Sequence, residues 1–85
     1  MTTYNATATF TGADQNYQDE TTVYWFDVES EDYRIESGEY GMADCNGDLT
    51  PLDSDGAPID YNDLLAGAVL AVCHLTDEIR QRAAA

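Results

Sequence analysis

Acidic residues alternate with aromatic and aliphatic ones through the segment YWFDVESEDYRIESGEYGMADCNGD, residues 24–48. A period of two is typical of strands that have one apolar and one polar face. The whole chain holds 17 Asp and Glu residues against three arginines and no lysine, for a formal net charge of −14 over 85 residues. A fold that uses this segment must therefore hold many like charges close together.

The length of the chain predicts a single domain that spans residues 1–85. So high a net charge can keep a chain disordered, but six Tyr, two Phe and one Trp residue supply enough core formers for a folded domain. The N-terminal residues lack the charged and apolar regions of a signal peptide, and the apolar run LLAGAVLAVC is too short to span a membrane. We therefore expect a cytoplasmic protein, in which Cys45 and Cys73 are more often reduced than paired.

Several segments have the pattern of strands. Residues 2–11 and 21–30 alternate cleanly, and residues 33–37 (YRIES) resume the alternation after a short polar turn, which predicts a hairpin. Residues 38–44 are interpreted as a further short strand or an irregular edge. Asn-Gly, Pro and Asp-Gly steps predict a loop over residues 45–59.

The C-terminal part has helical periodicity. Asp60 is a suitable N-cap, and Arg80 and Arg82 would lie in the last turn, where the helix dipole favours positive charge. The sequence therefore predicts an α+β, two-layer fold, with a small antiparallel sheet of three to four strands packed on one C-terminal helix. The apolar residues that recur at helical spacing are Leu64, Leu65, Ala68, Val69, Val72, Leu75 and Ile79.

The sheet face opposite this helix is the candidate binding surface. Residues two apart on a strand lie about 6.5 Å apart and neighbouring strands about 4.8 Å apart, so a hairpin fixes carboxylates at spacings comparable to those of nucleic-acid phosphates. Trp is enriched at interface hot spots, and Trp25 is expected on the same face. The candidate partner-binding residues are Trp25, Asp27, Glu29, Glu31, Asp32, Glu36, Glu39, Asp44, Asp48, Asp53 and Asp55.

In size, composition and layout, the whole chain resembles small phage-encoded anti-CRISPR proteins and other phage DNA mimics. The residues that carry this resemblance are the segment YWFDVESEDYRIESGEY and the acidic loop DCNGDLTPLDSDG. The resemblance implies a non-enzymatic inhibitor without a cofactor, acting in the cytoplasm of an infected bacterium. Its partner would be a basic, nucleic-acid-binding protein such as a CRISPR effector subunit. The negative charge argues against direct binding to nucleic acid or to an anionic membrane.

Other interpretations of the acidity remain open. The charge could be a merely solvated face, a halophilic surface that serves solubility, or a property of a regulatory subunit that binds its partner through Trp25. A cation-binding accessory domain is a further alternative, because Asp44, Asn46, Asp48 and Asp55 occupy EF-hand ligand positions; Leu49, however, stands where the loop requires Gly. Catalysis is not expected, since adjacent helical residues such as Cys73 and His74 do not face each other.

Overall fold

The computed structural model describes residues 3–16 and 20–84, and within them four antiparallel strands form one open sheet in the order β1-β2-β3-β4. The strands are β1 (Ala6–Asn16), β2 (Thr21–Ser30), β3 (Gly38–Cys45) and β4 (Asp48–Leu52). Two helices follow, α1 (Leu64–Val72) and α2 (Asp77–Ala84). The predicted α+β class is confirmed, with four strands.

One face of the sheet, here called the inner face, forms the core against α1. Tyr24, Phe26 and Val28 of β2 alternate inward, and β3 adds Tyr40 and Met42. Each of these side chains is at most 8% exposed. The other buried hydrophobic residues of this core are Ile35, Ile59, Ala66, Ala68, Val69 and Cys73.

The predicted strand over residues 33–37 is wrong, because this segment lies in the irregular connection between β2 and β3. The carboxylate of Asp32 accepts hydrogen bonds from the backbone N–H of Arg34 (3.0 Å) and from that of Asn5 (3.0 Å). The bond from Arg34 closes a local turn, and the bond from Asn5 ties that turn to the chain before β1. Ile35 then lies in the core with 1% of its surface exposed. The partner of β2 is therefore β3.

The predicted loop over residues 45–59 is also wrong in its first part, where β4 pairs with β3. Asn46 and Gly47 form a two-residue hairpin turn with positive φ angles of 53° and 94°. Both angles suit Asn-Gly, the preferred dipeptide of such tight turns. Pro51 is tolerated because β4 is the last strand of the sheet.

The single predicted helix is divided in two. Its N-cap is Asp63, whose carboxylate accepts a hydrogen bond from the N–H of Leu65 (3.3 Å), rather than Asp60. The helix ends at Cys73, whose N–H donates to the carbonyl of Val69 (2.8 Å). The second helix, α2, then begins directly after Thr76 in the sequence.

The two edges of the sheet differ. The chain that follows β4 covers its outer edge, through a bridge between Leu52 and Pro58 and a hydrogen bond from the N–H of Ile59 to the carbonyl of Pro51 (2.9 Å). In the part of the chain that the structure describes, no strand pairs with the outer edge of β1. In the same part, no helix has the length and apolar character needed to cross a membrane.

Candidate interaction surface on the outer face of the sheet

The sheet face that points away from the helices, here called the outer face, carries the acidic residues of β2 and β3. Asp27 and Glu29 are exposed and flank the inward-facing, buried Val28. Glu39 of β3 lies directly opposite Asp27 in the strand register, and Thr9 of β1 lies on its other side. The predicted outward orientation of Asp27 and Glu29 is thus what the structure has.

Asp27 and Glu39 face each other in the closer of the two antiparallel pair geometries. The N–H of Glu31 donates to the carbonyl of Asn5 (2.9 Å), so by alternation Asp27 directs its backbone polar groups to β1 rather than to β3. Such a non-hydrogen-bonded pair has Cα atoms about 4.5 Å apart, with the side chains held close together. Like charges directly opposite are destabilising, so this pair is held by the sheet and not by mutual attraction.

Trp25 lies on the outer face beside the acidic pair. Its ring covers Gly41 so closely that a Cβ atom built there would lie 3.0 Å from the ring atom Cζ3 and 3.3 Å from Cβ of Leu52. The indole N–H donates to the carboxylate of Asp14 (3.2 Å). The aromatic ring is therefore fixed in place and still partly exposed.

A β-bulge brings Asp14 to this face. The register shifts between Phe10 and Gly12, so that Phe10 pairs with Phe26 but Gly12 pairs with Trp25. The extra residue reverses which side chains of β1 point outward. Without the bulge, Asp14 would point to the inner face, away from the indole.

A shallow groove of about 510 Å³ opens beside Trp25. Asp14, Glu39 and Asp55 line it together with Trp25, so three acidic residues and one aromatic ring share the groove. A second groove, of about 550 Å³, lies at the other end of the sheet, where Glu29 and Glu31 line it. Both grooves are open and lie at the acidic surface.

Asp32 is used inside the fold rather than on the surface. Its side chain is 7% exposed and forms an ion pair with Arg34 (2.6 Å). The hydrogen bond to the Arg34 side chain, assisted by backbone hydrogen bonds from Arg34 and Asn5, holds the pKa of this carboxyl well below its usual range. Asp32 does not join the outer-face carboxylates and instead fixes the β2–β3 connection.

Asp44 and Asp53 also have partners within the fold. Asp44 points to the helix side, where its carboxylate accepts a hydrogen bond from the N–H of Gly47 (3.0 Å) and lies 3.7 Å from Arg80 of α2. Asp53 accepts hydrogen bonds from the N–H groups of Asp55 and Ala57, each at 2.9 Å, and so closes the turn after β4. The prediction that Asp44 extends the acidic patch of the outer face is therefore wrong, because Asp44 points to the opposite face.

The remaining candidates are exposed but lie away from the pair formed by Asp27 and Glu39. Glu31 follows β2 and accepts a hydrogen bond from the side chain of Asn5 (3.3 Å). Glu36 lies in the β2–β3 connection, where its carbonyl accepts a hydrogen bond from the hydroxyl of Tyr40 (2.9 Å). Asp48 lies at the β3–β4 turn. These residues extend the negative charge to both ends of the sheet.

All three arginines form their ion pairs away from the outer face. Arg34 pairs with Asp32; Arg80 lies 3.8 Å from Asp77; and Arg82 lies 2.9 Å from Glu78. Among residues 3–16 and 20–84, no ion pair involves Asp14, Asp27, Glu29 or Glu39. The outer-face carboxylates therefore lack a protein counterion in this part of the chain.

The residues considered for metal binding and catalysis are not assembled into a site. The twelve-residue loop proposed for a cation is interrupted by β4, and no group of three His, Cys, Asp or Glu residues in the described ranges could hold a metal ion. Cys73 is buried, which raises the pKa of its thiol to about 12 and disfavours the reactive thiolate. His74 is exposed beside it.

Sequence reasoning missed Asp14, Gly41 and Leu52 at this surface. A glycine inside a strand is a recognised indication of close approach by another group, and Gly41 fulfils it with Trp25. Nothing in the sequence marks the bulge that turns Asp14 outward. Comparisons with protein-family models, curated proteins and solved structures found no match to this chain.

Proposed function

We propose that the outer face binds a basic, nucleic-acid-binding surface and blocks access of nucleic acid to it. The observation that carries this proposal is the close pair of Asp27 and Glu39, which has no protein counterion among the described residues. Lysine and arginine side chains of a partner would relieve the repulsion within the pair. Binding is therefore favoured, because it removes a repulsion between Asp27 and Glu39 that is present in the free protein.

The arrangement around the pair supports a protein partner. Glu29 lies two residues from Asp27 on the same strand and face, about 6.5 Å along it, and Glu39 lies across the sheet. Trp25 supplies a rigid apolar anchor beside the charges. Arginine, which forms planar bidentate pairs with carboxylates and stacks on aromatic rings, is the residue best suited to this combination.

Within this class, we propose a CRISPR effector of an infected bacterial host as the partner, with the protein acting in the cytoplasm. The inhibitor is non-enzymatic and stoichiometric, and it occupies a Lys- and Arg-lined channel that otherwise receives DNA. Support for this choice is the combination of size, acidity and a pinned carboxylate array. Exclusion of DNA follows because a channel that is filled by carboxylates cannot also bind phosphates.

The test is DNA binding by purified CRISPR effector complexes of several types, measured by mobility shift with the inhibitor added. The variant Asp27→Asn/Glu39→Gln removes two charges from the outer face while conserving shape. The control variant Asp77→Asn/Glu78→Gln removes two charges from α2. We expect the wild-type inhibitor and the control variant to prevent DNA binding by at least one effector. Inhibition by the outer-face variant should be at least about tenfold weaker, as expected when charges that become desolvated in a complex are removed.

Two outcomes contradict the proposal. Equal inhibition by the two variants means that the position of the charges is irrelevant, as expected if acidity serves only solubility. If no effector binds the wild-type protein at low salt, the CRISPR assignment is withdrawn. Where binding is found, added salt should weaken it, because interactions between exposed charges are screened.

A further inference from the structure

The outer edge of β1 has features of an interface. The segment from Thr3 to Ala13 carries no charged side chain, although the chain has 17 acidic residues. In the described part of the chain, β1 pairs only with β2. Native edge strands are usually protected from pairing by charges, prolines or a covering segment, and the stretch from Ala6 to Phe10 has no charge, proline or bulge.

The backbone groups that point to this edge can be assigned. Because Asn5 and Glu31 form a hydrogen-bonded pair, the alternation of an antiparallel ladder directs Thr7 and Thr9 to β2. Ala6, Ala8 and Phe10 therefore direct their N–H and C=O groups outward. This regular array ends at the bulge after Phe10.

Helix α1, which is apolar on all sides, reaches the same edge with its C-terminal residues Ala71 and Val72. Its sequence LLAGAVLAV has no polar side chain, yet only Ala66, Ala68 and Val69 are buried. Leu64 is 73% exposed. A helix that is apolar all round is normally buried, so its exposed side is suited to a further contact.

Strand and helix form one continuous surface. A Cβ atom built at Gly67 would lie 3.8 Å from the hydroxyl of Tyr4. A groove of about 410 Å³ between them is lined by Ala6 and Ala8 of β1 and by Ala71 and Val72 of α1. Among the residues that the structure describes, Tyr4 and His74 are the only titratable side chains that line the groove. An uncharged surface of this kind is exceptional on a protein with a net charge of −14.

We propose that a second copy of this chain pairs with the edge of β1, so that the two sheets join into one eight-stranded sheet across a two-fold axis at Ala8. Ala8 then faces Ala8 of the other copy, and Ala6 faces Phe10, with about six new hydrogen bonds. A second copy is the occupant that fits, because its own β1 edge is uncharged and presents the same outward N–H and C=O groups, whereas a basic partner gains no charge complementarity from an uncharged surface. The two-fold axis also satisfies the same backbone groups on both chains.

The helices complete the contact. Stable interfaces bury about 1,200–2,000 Å² in total, more than a five-residue ladder supplies. In a continuous sheet both copies of α1 lie on the inner side next to the axis, so that Ala71 and Val72 of each copy approach those of the other. The outer faces join as well, which doubles the length of the carboxylate surface without using any of its residues.

Salt dependence distinguishes this pairing from partner binding. Two chains of like charge repel each other, so added salt should strengthen their association. Binding to a basic partner should weaken under the same change. The proposal does not depend on the proposed function, and each can fail alone.

The test is sedimentation equilibrium of the full chain, at concentrations up to millimolar, in about 0.05 M and about 0.5 M NaCl. We expect a dimer whose dissociation constant falls at least about tenfold at the higher salt concentration. Ala8→Pro removes an outward N–H that β2 does not use and should abolish the dimer. Ala71→Glu should do the same from the helix, whereas Ala57→Glu, the same change at an exposed alanine beside β4, should leave the dimer intact.

Amide hydrogen exchange adds a readout that needs no variant. Dimer formation should protect the amides of Ala6, Ala8 and Phe10, while the amides of Thr7 and Thr9 are already protected by β2 in the monomer. A chain that stays monomeric at both salt concentrations overturns the proposal. A dimer that survives both Ala8→Pro and Ala71→Glu, with circular dichroism showing both variants folded, also overturns it. Protection of the three amides by a CRISPR effector, without a dimer, would assign the edge to a strand of that partner instead.

Discussion

At the scale of single residues, the same carboxylate group has two different roles in this protein. Asp32 stabilises the fold because it is surrounded by donors, with Arg34 at 2.6 Å. Asp27 and Glu39 face each other and solvent, and the strand register holds them close together. Which role an acidic residue takes is decided by its neighbours in space, which composition does not reveal.

Gly41 is the residue on which the position of Trp25 depends. We expect Gly41→Ala to destabilise the protein by about 1–3 kcal/mol, the usual cost of overpacking, because the new Cβ would lie 3.0 Å from the indole ring. The displaced ring should also change its fluorescence maximum. Urea unfolding and emission spectra of the variant measure the two effects.

Gly12→Ala is the matched control for Gly41→Ala, since nothing lies within 4 Å of a Cβ atom at Gly12. Alanine there should leave the stability unchanged or raise it slightly, because it restricts the unfolded chain. Equal destabilisation by the two variants would contradict the close contact of Trp25 with Gly41.

At the scale of elements, the pattern of the sequence predicts β2 and the first part of β1, where the alternation is uninterrupted. Residues 12–16, whose glycine and polar side chains predict a loop, continue β1 in the structure. The pattern fails at residues 33–37, where Tyr33 and Ile35 alternate with polar residues but hydrogen bonds of Asp32 impose a turn. It also fails at the bulge in β1, which decides that Asp14 points outward. Register and bulges depend on pairing between distant segments, so a single segment does not encode them.

A local pattern in the sequence predicts where the C-terminal helix divides. Thr76 is followed by Asp77 and Glu78, which is typical of a helix start with its acidic first turn. The apolar residues Leu75 and Ile79 continue the helical spacing across the break, so periodicity alone predicts one helix.

We expect Thr76→Ala to destabilise α2 by about 1 kcal/mol. The hydroxyl of Thr76 accepts a hydrogen bond from the N–H of Ile79 (3.3 Å), and alanine leaves this helix-terminal donor without a partner in the fold. Thr76→Ser keeps the hydroxyl and should retain most of the stability. Urea unfolding compares the variants, and an equal loss in both would show that the cap contributes nothing.

At the scale of the whole molecule, the candidate binding surface is held at a cost to folding. Asp27→Asn/Glu39→Gln should stabilise the protein at low salt by up to about 1 kcal/mol, since like charges across a strand pair are destabilising. The gain should shrink in about 0.5 M NaCl, where the repulsion is screened. Thermal unfolding at two salt concentrations measures both effects.

The control for this prediction is Asp77→Asn/Glu78→Gln, which removes two charges from α2, where both have arginine partners. It should give no comparable gain in stability at low salt. If both variants stabilise the protein equally, the repulsion arises from the net charge as a whole and not from the pair of Asp27 and Glu39.

The confinement of all three arginines to the helix side and the strand connection has a consequence for motion in solution. Because the exposed carboxylates of Asp27, Glu29 and Glu39 on the opposite side have no arginine partner among the described residues, we expect an electric dipole across the sheet. In the field of a positively charged body this dipole experiences a torque before any atoms touch. For the basic partner proposed above, the rotational search that normally slows docking would thereby be shortened, with the outer face turned towards the partner before contact.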